Sequence, residues 1–229
     1  MIKNNINYIL ENIAGIKQKN GIDYDINLVA VTKNFPAEDV LEAYNCGITL
    51  FGENRIQEAD IKYNSDILKE KKLELHIIGH LQRNKAKTAV KIASMIQSID
   101  KIETLDSVER HCSLINKKID YLLEINTSNE SQKMGVFPEE TDKIVEEILK
   151  KDYKFCNIRG VMTVGPLCED QAEIRKSFRN LKNIFEKLNK YFQKKDFDII
   201  SMGMSGDYPI AIEEGGNLIR IGTGIFGKR

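Results

Sequence analysis

Residues 198–224 read DIISMGMSGDYPIAIEEGGNLIRIGTG, and this stretch carries the pattern that decides the fold. Two short apolar runs, at 198–202 and 217–221, are each followed directly by a glycine-rich segment. Six similar runs precede them, at 27–32, 48–51, 73–78, 95–99, 120–125 and 157–162. Apolar runs of this length, separated by stretches of helical periodicity, predict eight β-strands that alternate with helices.

The spacing of these runs favours a closed (β/α)8 TIM barrel. Residues 27–229 supply about 25 residues for each strand and its helix, a pitch that fits such a barrel. An open, doubly wound sheet also alternates strands and helices and is the main alternative. The count of eight and the polar residues at the strand ends favour the barrel.

One further helix precedes the barrel. Apolar residues recur at helical intervals over 2–18, which predicts an amphipathic helix within residues 1–20. No linker or low-complexity tract divides the chain. We therefore predict a single α/β domain over 1–229, made of this helix and a barrel over 27–229.

The composition excludes several classes of protein. With 34 Lys+Arg against 34 Asp+Glu, the net charge of zero gives no bulk attraction for nucleic acid or an anionic membrane. The N-terminus lacks the apolar region and cleavage site of a signal peptide. Cys46, Cys112, Cys156 and Cys168 are scattered, which is typical of a reducing compartment and argues against a zinc site. We expect a soluble, cytoplasmic protein without a metal, a nucleic-acid partner or a membrane partner.

Glycine is concentrated near the end of the chain. Seven of the 15 glycines lie within 203–227, around the last two predicted strands. Barrels often bind phosphate in the loops after these strands, where Ser205 and Thr223 would add hydroxyl donors to the main-chain N–H groups of Gly222 and its neighbours. Tight turns near a chain end are the alternative. Residues 222–227 match G-x-G-x-x-G, but no helix follows them to make a dinucleotide site.

Lys33 directly follows the first apolar run, so a barrel would place it at the carboxyl end of the first strand. Partial burial there favours the neutral amine, which is the nucleophile that forms a Schiff base. An ordinary charged residue at a strand end is the alternative interpretation. A Schiff-base lysine opposite a phosphate site is typical of two chemistries, that of pyridoxal 5′-phosphate (PLP) and that of a phosphosugar aldolase.

Arg220 lies on the face of its strand opposite Ile219 and Ile221. An arginine that points into an apolar barrel needs a polar partner, and a pyridine nitrogen could be that partner. Such a contact would keep the nitrogen unprotonated and weaken the cofactor as an electron sink. A nearby carboxylate is the other candidate partner.

Three more residues fall at predicted strand ends. His80 could line the site. Asn54 could bind a ring hydroxyl or a phosphate, or cap the next helix. Met162 could pack against a cofactor ring, although a role in core packing is the simpler interpretation.

Seven blocks of the sequence, in order, resemble the pyridoxal phosphate homeostasis protein family. They are AVTK at 30–33, FGENRIQE at 51–58, HIIGHLQRNK at 76–85, KMG at 133–135, RGVM at 159–162, SMGMSGD at 201–207 and IRIGTGIFG at 219–227. Because the blocks extend over nearly the whole chain, the resemblance is far more specific than any one motif.

The resemblance implies a fold-type III PLP barrel, like the N-terminal domain of alanine racemase. Lys33 would hold PLP as the internal aldimine, Ser205, Gly222 and Thr223 would bind its phosphate, and Arg220 would face the pyridine nitrogen. The full set of cofactor-binding residues predicted in this way is Lys33, Asn54, His80, Met162, Ser205, Arg220, Gly222 and Thr223.

The resemblance also implies a carrier or buffer of PLP with little or no turnover. Alanine racemases need a second base, a tyrosine from an additional β domain of the partner subunit, whereas this chain ends at Arg229 after the eighth predicted strand. We expect a PLP homeostasis protein that acts as a monomer and makes transient contact with PLP-dependent apo-enzymes. A PLP-dependent amino-acid racemase and an aldolase without PLP are the alternatives.

Overall fold

The described part of the computed structural model, residues 1–128, 130 and 132–227, contains eight parallel strands that close into a barrel. Neighbouring strands pair in sequence order, and the last strand pairs with the first. The strands are β1 (Asn27–Val31), β2 (Leu50–Glu53), β3 (Glu74–Ile77), β4 (Met95–Ile99), β5 (Ile119–Glu124), β6 (Cys156–Met162), β7 (Ile199–Ser201) and β8 (Leu218–Ile221). The predicted (β/α)8 barrel is confirmed, and the open-sheet alternative is wrong.

One helix precedes the first strand, and a helix follows each strand along the chain. The helices are α1 (Ile2–Asn20), α2 (Ala37–Asn45), α3 (Ile56–Tyr63), α4 (Ala86–Ile92), α5 (Ile102–Leu114), α6 (Thr141–Lys150), α7 (Gln171–Phe192), α8 (Tyr208–Glu213) and α9 (Thr223–Phe226). The predicted N-terminal helix is confirmed as α1, which ends at Gly21 in the left-handed conformation with φ of 63°. Its buried face includes Ile6, Ile9 and Ile13, and it packs against α2, α8 and α9. No described helix is both long and apolar enough to cross a lipid bilayer.

The barrel interior changes from apolar to polar along the strands. Side chains alternate between the two faces of each strand, so residues two apart share a face. An inner apolar cluster is formed by Val29, Met95, Leu122, Met162 and Leu218. Two positions further along, on the same faces, are the buried polar residues Gln97, Glu124 and Arg220. The polar layer therefore lies nearer the carboxyl ends of the strands, where barrels carry their functional sites.

The single-domain assignment over 1–229 stays a prediction. Residues 228 and 229, which the predicted barrel includes, lie outside the described residues.

Candidate functional site

A pocket of about 400 Å³ lies at the carboxyl ends of the strands. It is lined by residues at the ends of β1, β2, β3, β6, β7 and β8: Val31, Lys33, Asn54, Ile78, Val164, Met204, Ser205, Gly206, Arg220, Gly222 and Thr223. Six of the eight residues predicted from the sequence are in this lining, namely Lys33, Asn54, Ser205, Arg220, Gly222 and Thr223. One amine, one guanidinium, one amide and two hydroxyl groups therefore surround the same space.

Lys33 is presented by a tight turn after β1. The Phe35 N–H donates to the Thr32 carbonyl oxygen at 3.0 Å, which places Lys33 and Asn34 at the two central positions of a β-turn. Asn34 has φ of 63°, a left-handed conformation that asparagine tolerates better than most residues. The turn ends the strand and leaves Lys33 exposed at the rim of the pocket.

In the same pocket as Lys33, the loops after β7 and β8 form a close-fitting main-chain cradle. The Gly224 N–H donates to Ser205 Oγ at 3.0 Å and so joins the two loops. A Cβ atom added at Gly224 would lie 2.9 Å from Ile221 Cγ2 and 3.4 Å from Ser205 Oγ. Only glycine leaves this approach open, and the hydroxyls of Ser205 and Thr223 face the same pocket. This arrangement fits an anionic group such as a phosphate.

Arg220 forms the buried floor of the pocket. Its guanidinium donates to the Ser201 hydroxyl and, at 2.6 Å, to the Thr163 carbonyl oxygen. Burial lowers the pKa of Arg220 to about 10, while the more distant carboxylates of Glu124 and Asp207 oppose this shift. Its hydrogen bonds go to neutral oxygens, and Glu124 and Asp207 act on it through longer-range attraction between charges. A partner that accepts a hydrogen bond from the pocket side fits this environment.

A chain of buried hydrogen bonds extends from Arg220 across the barrel. The Ser201 hydroxyl donates to Gln97 Oε1 at 2.6 Å, and Gln97 Nε2 lies 2.8 Å from His76 Nδ1. Burial lowers the pKa of His76 to about 4, so the ring is neutral and can accept from the amide. The chain orients Ser201 toward Arg220 and so limits the movement of the guanidinium.

Gln97 and Ser201 are not among the site residues predicted from the sequence. The available signal is the alternation within the apolar run at 95–99, where Gln97 falls on the same face as Met95. The contact between Gln97 and Ser201 could not be predicted from the sequence, because the two residues are 104 positions apart.

The buried acidic residue Glu124 lies at the end of β5. Burial, reinforced by the charge of Asp100, raises the pKa of Glu124 to about 7, although Arg220 opposes the shift. Glu124 Oε2 and Asp100 Oδ1 are both buried without a hydrogen-bond partner among the described residues. Glu124 therefore carries a proton for much of the time at neutral pH.

His80 and Met162 lie away from the pocket lining. His80 Nδ1 is 3.8 Å from Asp100 Oδ2, beyond the end of β3. Met162 is fully buried in the apolar cluster inside the barrel, two residues before the pocket residue Val164. Their part in cofactor binding stays a prediction.

The fold and the site together define a class of protein. The chain matches the family model "Alanine racemase, N-terminal domain" over residues 5–229. This match includes the barrel and the lysine that follows β1. The alanine racemase of Clostridium difficile shares the fold, with a TM-score of 0.73 at 17% identity. That match covers 99% of this chain and 56% of the racemase.

More similar proteins narrow the assignment. A pyridoxal phosphate homeostasis protein from Aquifex aeolicus is 37% identical over 202 residues, covering 88% of this chain and 86% of that protein. The PLP-bound structure of PipY from Synechococcus elongatus is 29% identical, with a TM-score of 0.81 over 99% of this chain and 100% of PipY. The chain belongs to the pyridoxal phosphate homeostasis protein family.

Replacing Glu124 should change how stability depends on pH. The pKa of about 7 in the folded protein exceeds the ordinary value of 4.5, so the folded state binds more protons between these two values. Stability is therefore lost as pH rises from about 4.5 to 7, by up to about 3 kcal/mol. In Glu124→Gln this loss is absent, and the variant gains stability relative to the original protein as pH rises.

Urea unfolding of the two cofactor-free proteins at pH 4.5 and pH 8 measures this difference. Glu169→Gln, which changes an exposed carboxylate, is the matched control and should leave the pH dependence unaltered. If Glu124→Gln and the original protein lose stability in parallel over this range, Glu124 is not the titrating group.

Proposed function

We propose that this protein binds PLP, holds it covalently on Lys33, and acts as a carrier in PLP homeostasis with little or no turnover. The observation that carries the proposal is the convergence of Lys33, the Ser205–Gly224 cradle and Arg220 on one pocket. Membership of a family whose relatives are named for PLP homeostasis supports it, as does the PLP bound to PipY.

The residues present fit the parts of PLP. Bound PLP supplies an aldehyde that condenses with an amine, forming a C=N bond and releasing water. Lys33 is the amine in the pocket lining. Ser205, Gly222 and Thr223 would hold the phosphate, and Asn54, which lines the same pocket, would bind a polar group on the ring. The anchored phosphate keeps the aldehyde within reach of Lys33, which raises the effective concentration of the two reacting groups.

Arg220 gives the pocket its electronic character. Its charge is retained at neutral pH, because even the lowered pKa of about 10 lies well above 7. A guanidinium donates hydrogen bonds and has no acceptor for a hydrogen bond from a protonated ring nitrogen. It therefore holds the pyridine nitrogen in the unprotonated form, in which the ring withdraws electrons less strongly. This property favours holding PLP over catalysis at an amino-acid carbon.

Racemisation is the alternative function, and it requires two bases on opposite faces of the cofactor. The described lining supplies the amine of Lys33 and the guanidinium of Arg220, together with neutral amide, hydroxyl and apolar groups. A carrier needs only the one amine and an open route for release. In the cytoplasm such a carrier would act as a monomer and meet PLP-dependent apo-enzymes transiently.

Lys33→Ala should abolish covalent attachment of PLP. The original protein, loaded with PLP and reduced with borohydride, should carry the label on the peptide that contains Lys33. The variant should lose both the label and the visible absorbance of the C=N bond, because no other amine lies in the described lining. Absorption spectra and peptide mapping measure this, with Lys101→Ala as the control for an exposed lysine at another strand end. An unchanged spectrum in Lys33→Ala would refute the assignment.

Ser205→Ala should weaken binding of the phosphate. Loss of one hydrogen bond to a charged group should lower PLP affinity by roughly tenfold. Pyridoxal, which lacks the phosphate, should bind the variant and the original protein equally. Titrations followed by absorbance measure both affinities, and Ser113→Ala on α5 is the control. Equal losses for PLP and pyridoxal would show that Ser205 acts elsewhere than at the phosphate.

Carrier and racemase predict different turnover. The PLP-loaded protein incubated with L- or D-alanine, or with L- or D-serine, should change chirality no faster than an equal concentration of free PLP. Chiral chromatography over time measures the rates. Turnover far above that of free PLP, and lost in Lys33→Ala, would favour the racemase.

A further inference from the structure

A cluster of charged residues, two of them buried and one partly exposed, contacts the turn that presents Lys33. Lys62 on α3 is the centre of this cluster and is 7% exposed. Its Nζ donates to Glu53 Oε1 at 2.6 Å, to Glu58 Oε1 at 2.9 Å and to the Thr32 carbonyl oxygen at 2.7 Å. We call Glu53, Glu58 and Lys62 the Lys62 cluster. Burying such charges is costly unless each is paired and hydrogen-bonded.

The Lys62 cluster holds the main chain on both sides of Lys33. On the N-terminal side, Lys62 binds the carbonyl oxygen of Thr32. On the C-terminal side, Glu58 Oε1 accepts from the Asn34 N–H at 2.6 Å. Both contacts come from α3, so one rigid element fixes the two peptide groups that flank Lys33.

The side chain of Thr32 adds a third point of attachment. Its hydroxyl donates to Glu53 Oε1 at 2.7 Å and lies 2.9 Å from the Tyr63 hydroxyl. Thr32 and Glu53 are fully buried, and Tyr63 follows Lys62 on α3. The residue before Lys33 is therefore held through both its main chain and its side chain.

The charge state of Glu58 suits this role. Burial raises the pKa of Glu58, but the hydrogen bonds from Lys62 and the Asn34 N–H lower it by more. The pKa of Glu58 therefore lies below its ordinary value. The carboxylate is ionised at neutral pH and accepts both hydrogen bonds. The hydrogen bond from the Asn34 N–H to Glu58 also helps to hold Asn34 in its left-handed conformation.

We propose that Lys62, Glu58 and Glu53 are positioning residues that direct the Lys33 amine over the pocket and so favour its condensation with a phosphate-anchored aldehyde. The inference rests on the proposed covalent binding of PLP by Lys33. The cluster acts on Lys33 through its neighbours' main chain, and none of its three members is in the pocket lining. A loosened turn would let the amine sample more directions and lower its effective concentration at the aldehyde.

Two ligands separate positioning from pocket formation. PLP can condense with Lys33, whereas pyridoxamine 5′-phosphate carries an amine in place of the aldehyde and can only bind without a covalent bond. In Lys62→Met we expect PLP affinity and the rate of borohydride-trapped labelling to fall by about tenfold. The affinity for pyridoxamine 5′-phosphate should stay within twofold of the original value. Equal affinities and rates for PLP in Lys62→Met and the original protein would refute the proposal, as would equal losses for both ligands.

Folding defects are controlled in two ways. Lys62→Met leaves Glu53 without its buried partner, so the double variant Glu53→Gln/Lys62→Met is measured beside it to remove both charges. Lys117→Met is the matched control, because Lys117 also donates to main-chain carbonyl oxygens, those of Val90 and Ala93, away from the pocket. The control should lower stability without changing PLP labelling. Normal labelling in a folded double variant would contradict the proposal.

The Glu58 contact is tested on the protein without any ligand. Glu58→Ala removes the acceptor for the Asn34 N–H, whereas Glu58→Gln keeps an amide oxygen in its place. Exchange of the Asn34 amide hydrogen, measured by NMR, should be about tenfold faster in Glu58→Ala and close to the original rate in Glu58→Gln. PLP labelling should follow the same order, and labelling that does not follow it would overturn the proposal.

Failure of this inference is distinguishable from failure of the proposed function. If the original protein itself gives no borohydride-trapped label on Lys33, the proposed function is wrong and the inference falls with it. If the original protein is labelled normally and the cluster variants match it, only the positioning role is wrong.

Discussion

The pairing of the last strand with the first is the constraint on which the site depends. In the register of these strands, Val29 lies beside Arg220 and Ala30 beside Ile221. Continued to the strand ends, this register brings the turn that carries Lys33 next to the loop that begins at Gly222. An open sheet with the same elements would leave its first and last strands on separate edges. Closure of the barrel therefore unites the amine with the anion cradle.

Much of the fold could be predicted from the sequence, because strands buried on both faces are short, nearly continuous apolar runs. The predicted runs at 27–32 and 95–99 correspond to β1 and β4 within a residue. The boundaries of β2 and β7 differ by one to two residues. There the polar or glycine residues at the strand ends extend or shorten the pairing in ways that composition does not reveal.

The site was predictable only where chain position determines geometry. Lys33, Ser205 and Thr223 each lie within four residues of the end of a strand, so parallel closure places all of them at one end of the barrel. The support of these residues was not predictable, since it depends on contacts between distant segments. Lys62 looks in the sequence like an ordinary charged residue on a helix surface, yet it is buried because Glu53 and the Thr32 carbonyl oxygen lie opposite it.

Lys62 and Arg220, the buried cations of the described residues, have different surroundings. Lys62 lies behind the Lys33 turn among carboxylates, where ion pairs and main-chain acceptors satisfy its donors. Arg220 lies inside the barrel, where its hydrogen bonds go to neutral oxygens and its charge is balanced only at a distance by Glu124 and Asp207. A directly paired guanidinium would have little attraction left for a ring nitrogen. One that is oriented but not neutralised keeps that attraction, which suits the proposed contact of Arg220 with the pyridine nitrogen of PLP.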